Sequence, residues 1–86
     1  MHVSFLRAVD MVTAFVLLNA DLGVEKQIVA NLKAIENVKE VYEVYGVYDI
    51  IVKVEADSIE SVKEVITVKI RKLERVRSTL TMLAIE

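Results

Sequence analysis

Val38–Glu55 reads V-K-E-V-Y-E-V-Y-G-V-Y-D-I-I-V-K-V-E, and the reading of this stretch decides the fold. Val, Ile and Tyr dominate it, residues that suit a pleated, half-buried surface. Gly46 is its one glycine and falls near the middle. Gly46-Val47 has the chemistry of a two-residue type II′ turn, with Gly at the first central position. The stretch is therefore predicted to be a β-hairpin with arms of roughly eight residues. A Gly46-Val47 loop sets Tyr45 opposite Tyr48. Val41, Glu43, Tyr45, Tyr48, Ile50, Val52 and Val54 then share one largely apolar face. Tyr42, Val44, Asp49, Ile51 and Lys53 share the other, where Glu40 falls opposite Lys53 as a cross-strand ion pair. A one-residue slip would exchange the faces on one arm, so the register is itself a testable expectation.

A hairpin with one apolar face needs a cover, and the flanking segments supply it. Upstream, Met11–Ala20 is a continuous apolar run in which both alternating sets are apolar, the pattern of a central strand buried on two sides. Asp21–Asn37 changes period: Val24, Ile28, Leu32 and Ile35 form one helical stripe. Asp21 is the expected cap, and Asn37 the expected left-handed stop. Downstream, Asp57 with Glu60 resembles a capping box. Ile59, Val62, Ile66, Ile70 and Leu73 make the second stripe. Val65 and Val68 fall outside it, as surface apolar residues or a subunit contact. Val76–Glu86 is the last strand, with Arg77, Thr79, Thr81, Leu83 and Ile85 on one side and Val76, Ser78, Leu80, Met82 and Ala84 on the other.

The order is β-α-β-β-α-β, and the halves echo each other. Leu18-Asn19-Ala20-Asp21 matches Val54-Glu55-Ala56-Asp57, and Ala34–Val38 matches Lys72–Val76. Two interleaved βαβ units give an α+β, ferredoxin-like fold: a four-stranded antiparallel sheet with two helices on one face. The bare face carries apolar groups and calls for a second subunit.

At 86 residues the chain has room for one domain, assigned to Met11–Glu86. Met1–Asp10 has no clear period and is read as an N-terminal lead or a short extra strand. Arg7 with Met11–Leu18 faintly resembles a signal peptide, but the same run is the strand the fold needs. No apolar run approaches the ~18 residues of a membrane span. A net charge of −2 argues against a nucleic-acid-binding face. There is no cysteine, which removes disulfide and thiolate chemistry and fits a cytoplasmic location. His2 is the only histidine and lies in the least patterned segment. Phosphate loops, nucleophile elbows and dinucleotide fingerprints are absent, and no metal or cofactor is expected.

Two polar islands remain. Gly46-Val47-Tyr48-Asp49 places an Asp in a β-rich stretch, where Asp is depleted. It is either an exposed turn carboxylate or an acceptor for an ammonium group. Ser78-Thr79-Leu80-Thr81 is either ordinary strand sequence or a set of hydroxyl donors for a small carboxylate. Carboxylate, hydroxyls and free backbone N–H groups together are what recognition of an α-amino acid requires.

G-V-Y-D-I-I-V-K-V, preceded by V-K-E-V-Y-E-V-Y and followed by V-R-S-T-L-T-M-L-A-I-E, resembles the ligand-binding domain of the leucine-responsive regulatory protein / AsnC family from about Met11 to Glu86. The resemblance implies a non-enzymatic regulatory module of the dimeric α/β-barrel type. It implies subunits paired sheet to sheet, dimers assembling into octamers, and an amino-acid effector held between dimers. By position, Gly46, Val47, Tyr48 and Asp49 would line that cleft, with Asp49 facing the ammonium. Ser78, Thr79 and Thr81 would hold the other end. Family members usually carry a DNA-binding helix-turn-helix ahead of this domain, and this sequence shows none. The expectation is thus a module that binds no nucleic acid directly and acts alone or by co-assembly with full-length regulators. A different class of protein shares the topology: small dimeric barrel enzymes with an ionisable pocket inside each subunit, for which Tyr42 and Arg77 would be the candidates. A ligand-free assembly domain is the third reading.

Overall fold

The computed structural model describes residues 11–85, so the expectation for Met1–Asp10 lies outside the described residues. The strands are β1 (Val12–Ala20), β2 (Val38–Glu43), β3 (Ile50–Ala56) and β4 (Val76–Leu83). Helix α1 spans Glu25–Lys33, and α2 spans Ile59–Glu64 and continues as a π-helical turn over Val65–Ile70. The sheet is antiparallel throughout, in the order β2-β3-β1-β4. This is the ferredoxin-like β-α-β-β-α-β architecture.

The hairpin register is the one expected from Glu40 to Glu43, and a bulge between Val38 and Glu40 shifts it by one residue, so that Val38 rather than Lys39 pairs with Val54. Glu40 pairs with Lys53, Val41 with Val52, Tyr42 with Ile51 and Glu43 with Ile50. Lys53 Nζ lies 3.9 Å from a Glu40 carboxylate oxygen. The tip differs. Regular pairing stops at Glu43 and Ile50, one further bond joins Val44 N–H to Asp49 C=O at 2.8 Å, and Tyr45–Tyr48 open into a wider loop. The arms are accordingly six and seven residues, and Gly46 has φ 153°, a value an L side chain rarely adopts. The physical reason lies next door: Asp49 N–H turns away from the hairpin to bond Leu18 C=O of β1 at 2.9 Å.

The core forms where the even-numbered residues of β1 and β3 meet the helices. Val16, Leu18, Ile50, Val52 and Val54 are fully buried with Ile28 and Leu32 of α1 and Val62, Val65, Ile66 and Ile70 of α2 and its extension. The second helical stripe needs correcting at its start and at its middle. Ile59 is 43% exposed, whereas Val65, placed outside the stripe by an ideal period, is core. The cause is the π-helical turn: Arg71 N–H reaches back five residues to Ile66 C=O at 2.8 Å, and the wider winding swings Val65 inward. Val68 stays 51% exposed.

The caps also differ from expectation. Asp21 does not cap α1; its carboxylate takes Arg75 Nε at 2.7 Å and faces Arg77 Nε at 3.6 Å. The cap of α2 is Ser58, whose Oγ accepts Ser61 N–H at 3.0 Å, one residue past the expected Asp57. Asn37 is not the left-handed stop. Its side chain donates to Glu55 C=O at 3.0 Å, and the left-handed residue is Arg75, φ 75°, at the equivalent place in the second half.

Among the described residues nothing covers the other sheet face. Phe15, Leu17 and Ile51 are half-buried there; Leu80 and Met82 are 45% and 48% exposed. Thus β1 is buried on one side by its own helices, and on its second side it is only half-buried. At β4 the register shifts by a bulge between Asn19 and Ala20. Val76 pairs with Ala20 and packs against the core, so it does not share the side of Ser78 as strict alternation predicted. The strand ends at Leu83, short of the expected Glu86.

Candidate functional site

Sheet topology brings the two polar islands to one end of the molecule. Asp49 follows the tip and enters β3; Ser78 lies near the start of β4; both border the C-terminal end of β1. Asn19 of β1 pairs with Ser78, and its Nδ2 donates to Ser78 Oγ at 3.1 Å. On the other side of β1, Asp49 Oδ2 accepts Ala20 N–H at 3.2 Å, and Asp49 is half-buried. Asp49, Asn19 and Ser78 therefore form one row across three strands, with the outer two about 10 Å apart at two strand spacings.

The remaining predicted residues divide. Gly46 and Val47 are exposed at the tip, and Tyr48 is half-buried between them and Asp49. Thr79 and Thr81 pair with Leu18 and Val16, so they face the helix side of the sheet, opposite to Ser78. Among the described residues α1 and α2 lie mainly over β2, β3 and β1, which leaves Thr79 half-buried and Thr81 exposed. Ser78 and the two threonines thus look out on opposite faces of one edge strand.

Two shallow clefts flank the row. One, of about 240 Å³, is lined by Glu25 from the start of α1, Glu43 and Val44 from the end of β2, Tyr45, and Asp49. Glu43 is held by Lys26 Nζ at 3.3 Å, and Glu25 accepts Gly23 N–H at 3.1 Å. The concentration of carboxylates suits a cationic group. The other cleft, of about 230 Å³, is lined by Arg71, Val76, Arg77, Ser78 and Thr79. Among the described residues no cluster of His, Cys, Asp or Glu is arranged to hold a metal ion.

Asn19, Glu25 and Glu43 were not singled out from the sequence. Asn19 carried a signal, since an amide is depleted in strands and this one interrupts an apolar run. Glu25 and Glu43 carried none; they are ordinary surface residues until the fold sets α1 beside the hairpin tip. Tyr42 and Arg77, the candidates for an enzymatic pocket, lie on β2 and β4, at opposite edges of the sheet. Tyr42 Oη donates to Glu40 at 2.9 Å on the open face. That hydrogen bond, with the adjacent negative charge, raises the phenol above its ordinary value.

A bare-faced β-α-β-β-α-β domain with a polar row at one end is the architecture of a small ligand-binding module. The family model described as the Lrp/AsnC ligand binding domain matches residues 13–86. The chain belongs to this family. Among solved structures it is similar to FFRP-DM1, with 47% identity over 86% of this chain and 99% of that one, TM-score 0.83. It is also similar to the hypothetical protein PHS023 from Pyrococcus horikoshii, with 47% identity over 87% and 90% of the two chains, TM-score 0.82. Escherichia coli AsnC shares 26% identity over 90% of this chain but 52% of its own length, TM-score 0.81. No curated protein sequence matches the chain. Two of the neighbouring structures are described as transcriptional regulators, and no helix among the described residues is long and apolar enough to cross a membrane.

Proposed function

We propose that this chain is a non-enzymatic, cytoplasmic regulatory domain that binds a small effector, an amino acid, and works as an oligomer to modulate transcription regulators. The observation that carries the reading is the row Asp49–Asn19–Ser78, which gathers both polar islands at one end of a sheet with an uncovered apolar face. Asp49, with Glu25 and Glu43 behind it, receives the effector's ammonium group. Gly46, Val47 and Tyr48 shape the adjoining lip. Ser78, Thr79 and Thr81 serve the carboxylate end. Because Ser78 and the threonines face opposite ways, a single protomer does not close around a ligand. The site is completed between subunits, within a homodimer formed through the open sheet face and its higher assembly up to an octamer. Full-length regulators of the same family are the natural partners for co-assembly. In support, the Neisseria meningitidis regulator NMB0573, which shares this fold at 10% identity, is described as a complex with L-Met.

Calorimetric titration of the twenty amino acids against the wild type and Asp49→Ala tests the proposal, alongside size-exclusion chromatography with light scattering. Binding by a subset of amino acids, abolished in the variant, is expected of an assembled protein. Silence from all twenty in an assembled protein would leave a ligand-free assembly domain as the better description.

A further inference from the structure

We infer that the cleft at the start of β4 is an anion site that takes a small carboxylate or phosphate group on Arg71 and Arg77, with Thr79, on the helix side of the sheet, as an additional donor. The charge distribution makes this end distinctive. Lys69, Arg71, Lys72, Arg75 and Arg77 are five of the chain's 11 basic residues within nine positions, with Glu74 the only acid among them. A protein of net charge −2 therefore carries a locally positive end. Cations after a helix answer its C-terminal dipole, which accounts for Lys69, Arg71 and Lys72 as far as they go. It does not account for Arg77, which sits on β4 as the extra residue of the bulge.

The bulge sets Arg77 where it is useful. Asp21 presents one carboxylate oxygen to Arg75 Nε at 2.7 Å and the other to Arg77 Nε at 3.6 Å. The Arg77 contact uses Nε, and its two Nη groups make no hydrogen bond among the described residues. Arg71 forms no ion pair among them either. Both arginines line one cleft of about 230 Å³ whose only apolar lining residue is Val76. Planar guanidinium forks match the paired oxygens of carboxylates and phosphates, and hydroxyls complete the shell. Asp21 is both the brace that steadies Arg77 and the built-in competitor for its charge.

The inference shares Thr79 with the effector reading on which that cleft borders but does not need Asp49, so the two fail separately. The test is calorimetry at low ionic strength, where screening is least, with sodium phosphate and sodium acetate as separate probes. Neither carries an ammonium group. Arg71→Ala/Arg77→Ala should weaken binding of the preferred anion at least tenfold, and Asp21→Asn should tighten it. Lys39→Ala, at the other end of the sheet, should leave it unchanged. Matching thermal midpoints show that the arginine variant, whose side chains lie at the surface, stays folded. Preference for acetate identifies a carboxylate site, and preference for phosphate a phosphate site. The inference is overturned if neither probe binds the wild type, or if the double variant binds as well as wild type. Amino-acid binding that persists in the double variant but is lost in Asp49→Asn would also overturn any role for the cleft in holding the effector, while leaving the Asp49 reading intact.

Discussion

Replacing Asp49 separates its observed role at the end of β1 from the effector-binding role proposed for it. Asp49 Oδ2 accepts the N–H of Ala20, a residue only 2% exposed at the end of β1. Asp49→Ala leaves that buried donor without its acceptor. Hydrogen bonds to charged groups contribute about 1.5–3 kcal/mol. At 3.2 Å and half-buried, this one belongs at the lower end, about 1.5 kcal/mol. For a domain of this size 1 kcal/mol corresponds to about 4–8 °C in thermal midpoint, so the midpoint should fall by about 6–12 °C. Asp49→Asn keeps an oxygen acceptor for Ala20 and should cost about 0.5 kcal/mol, the difference between charged and neutral acceptors. Its binding behaviour should be the reverse. The amide cannot neutralise an ammonium group, so effector binding should fall as far in Asp49→Asn as in Asp49→Ala. Differential scanning calorimetry at fixed protein concentration gives the first quantity, since subunit association makes the midpoint concentration-dependent. Isothermal titration gives the second. An Asp49→Asn protein that binds amino acids as tightly as wild type would refute the reasoning, because the charge would then have no ligand to meet. Equal midpoints for Asp49→Ala and wild type would refute the strand-end role.

Three further outcomes are expected. Leu80→Glu with Met82→Glu sets four charges on a two-fold pairing of the open sheet face. If the proposed dimer forms through this face, light scattering should report a smaller mass for the variant than for wild type; an unchanged mass would count against that contact. Ile66→Ala removes a 5%-exposed side chain from the π-helical turn and should cost about 2–4 kcal/mol. Val68→Ala, at 51% exposure, should stay within about 0.5 kcal/mol in the isolated protomer; urea unfolding distinguishes them, and a larger loss at Val68 would contradict the winding described above. Tyr42 donates to Glu40, so its phenol ionises above its ordinary value. A folded-state value above the unfolded one favours the protonated form, so this contribution is complete below the unfolded value and is lost as pH rises through the folded one. Ultraviolet titration should show a late-ionising tyrosine that returns toward normal in Glu40→Gln; no change in that variant would contradict the pairing.

Much of the architecture lay open in local pattern. The hairpin register follows from alternation around Gly46, because a two-fold period leaves no tolerance for slippage once one face is apolar. The α1 stripe of Val24, Ile28, Leu32 and Ile35 packs as its spacing requires. The errors cluster at element ends. Asp21 and Asp57 both have cap chemistry, yet Asp21 is drawn to Arg75 and Arg77, 54 and 56 residues away in the chain, and Ser58 takes the cap of α2. A local rule cannot see a cation that arrives with β4. Likewise Val65 is core where the end of α2 is wound more loosely, a change of period that the spacing of its apolar residues does not announce.

What residue order alone settled is the strand and helix sequence, the pairing of β2 with β3, and the two polar islands, since each depends on neighbours a few positions apart. What required the folded chain is their meeting. Asp49 and Ser78 come within about 10 Å because β1 inserts between β3 and β4 and offers Asn19 to one side and the Ala20 N–H to the other. Glu25 joins Asp49, and Arg71 joins Arg77, for the same reason: each pair spans separate elements whose ends coincide only when helices cross over the sheet.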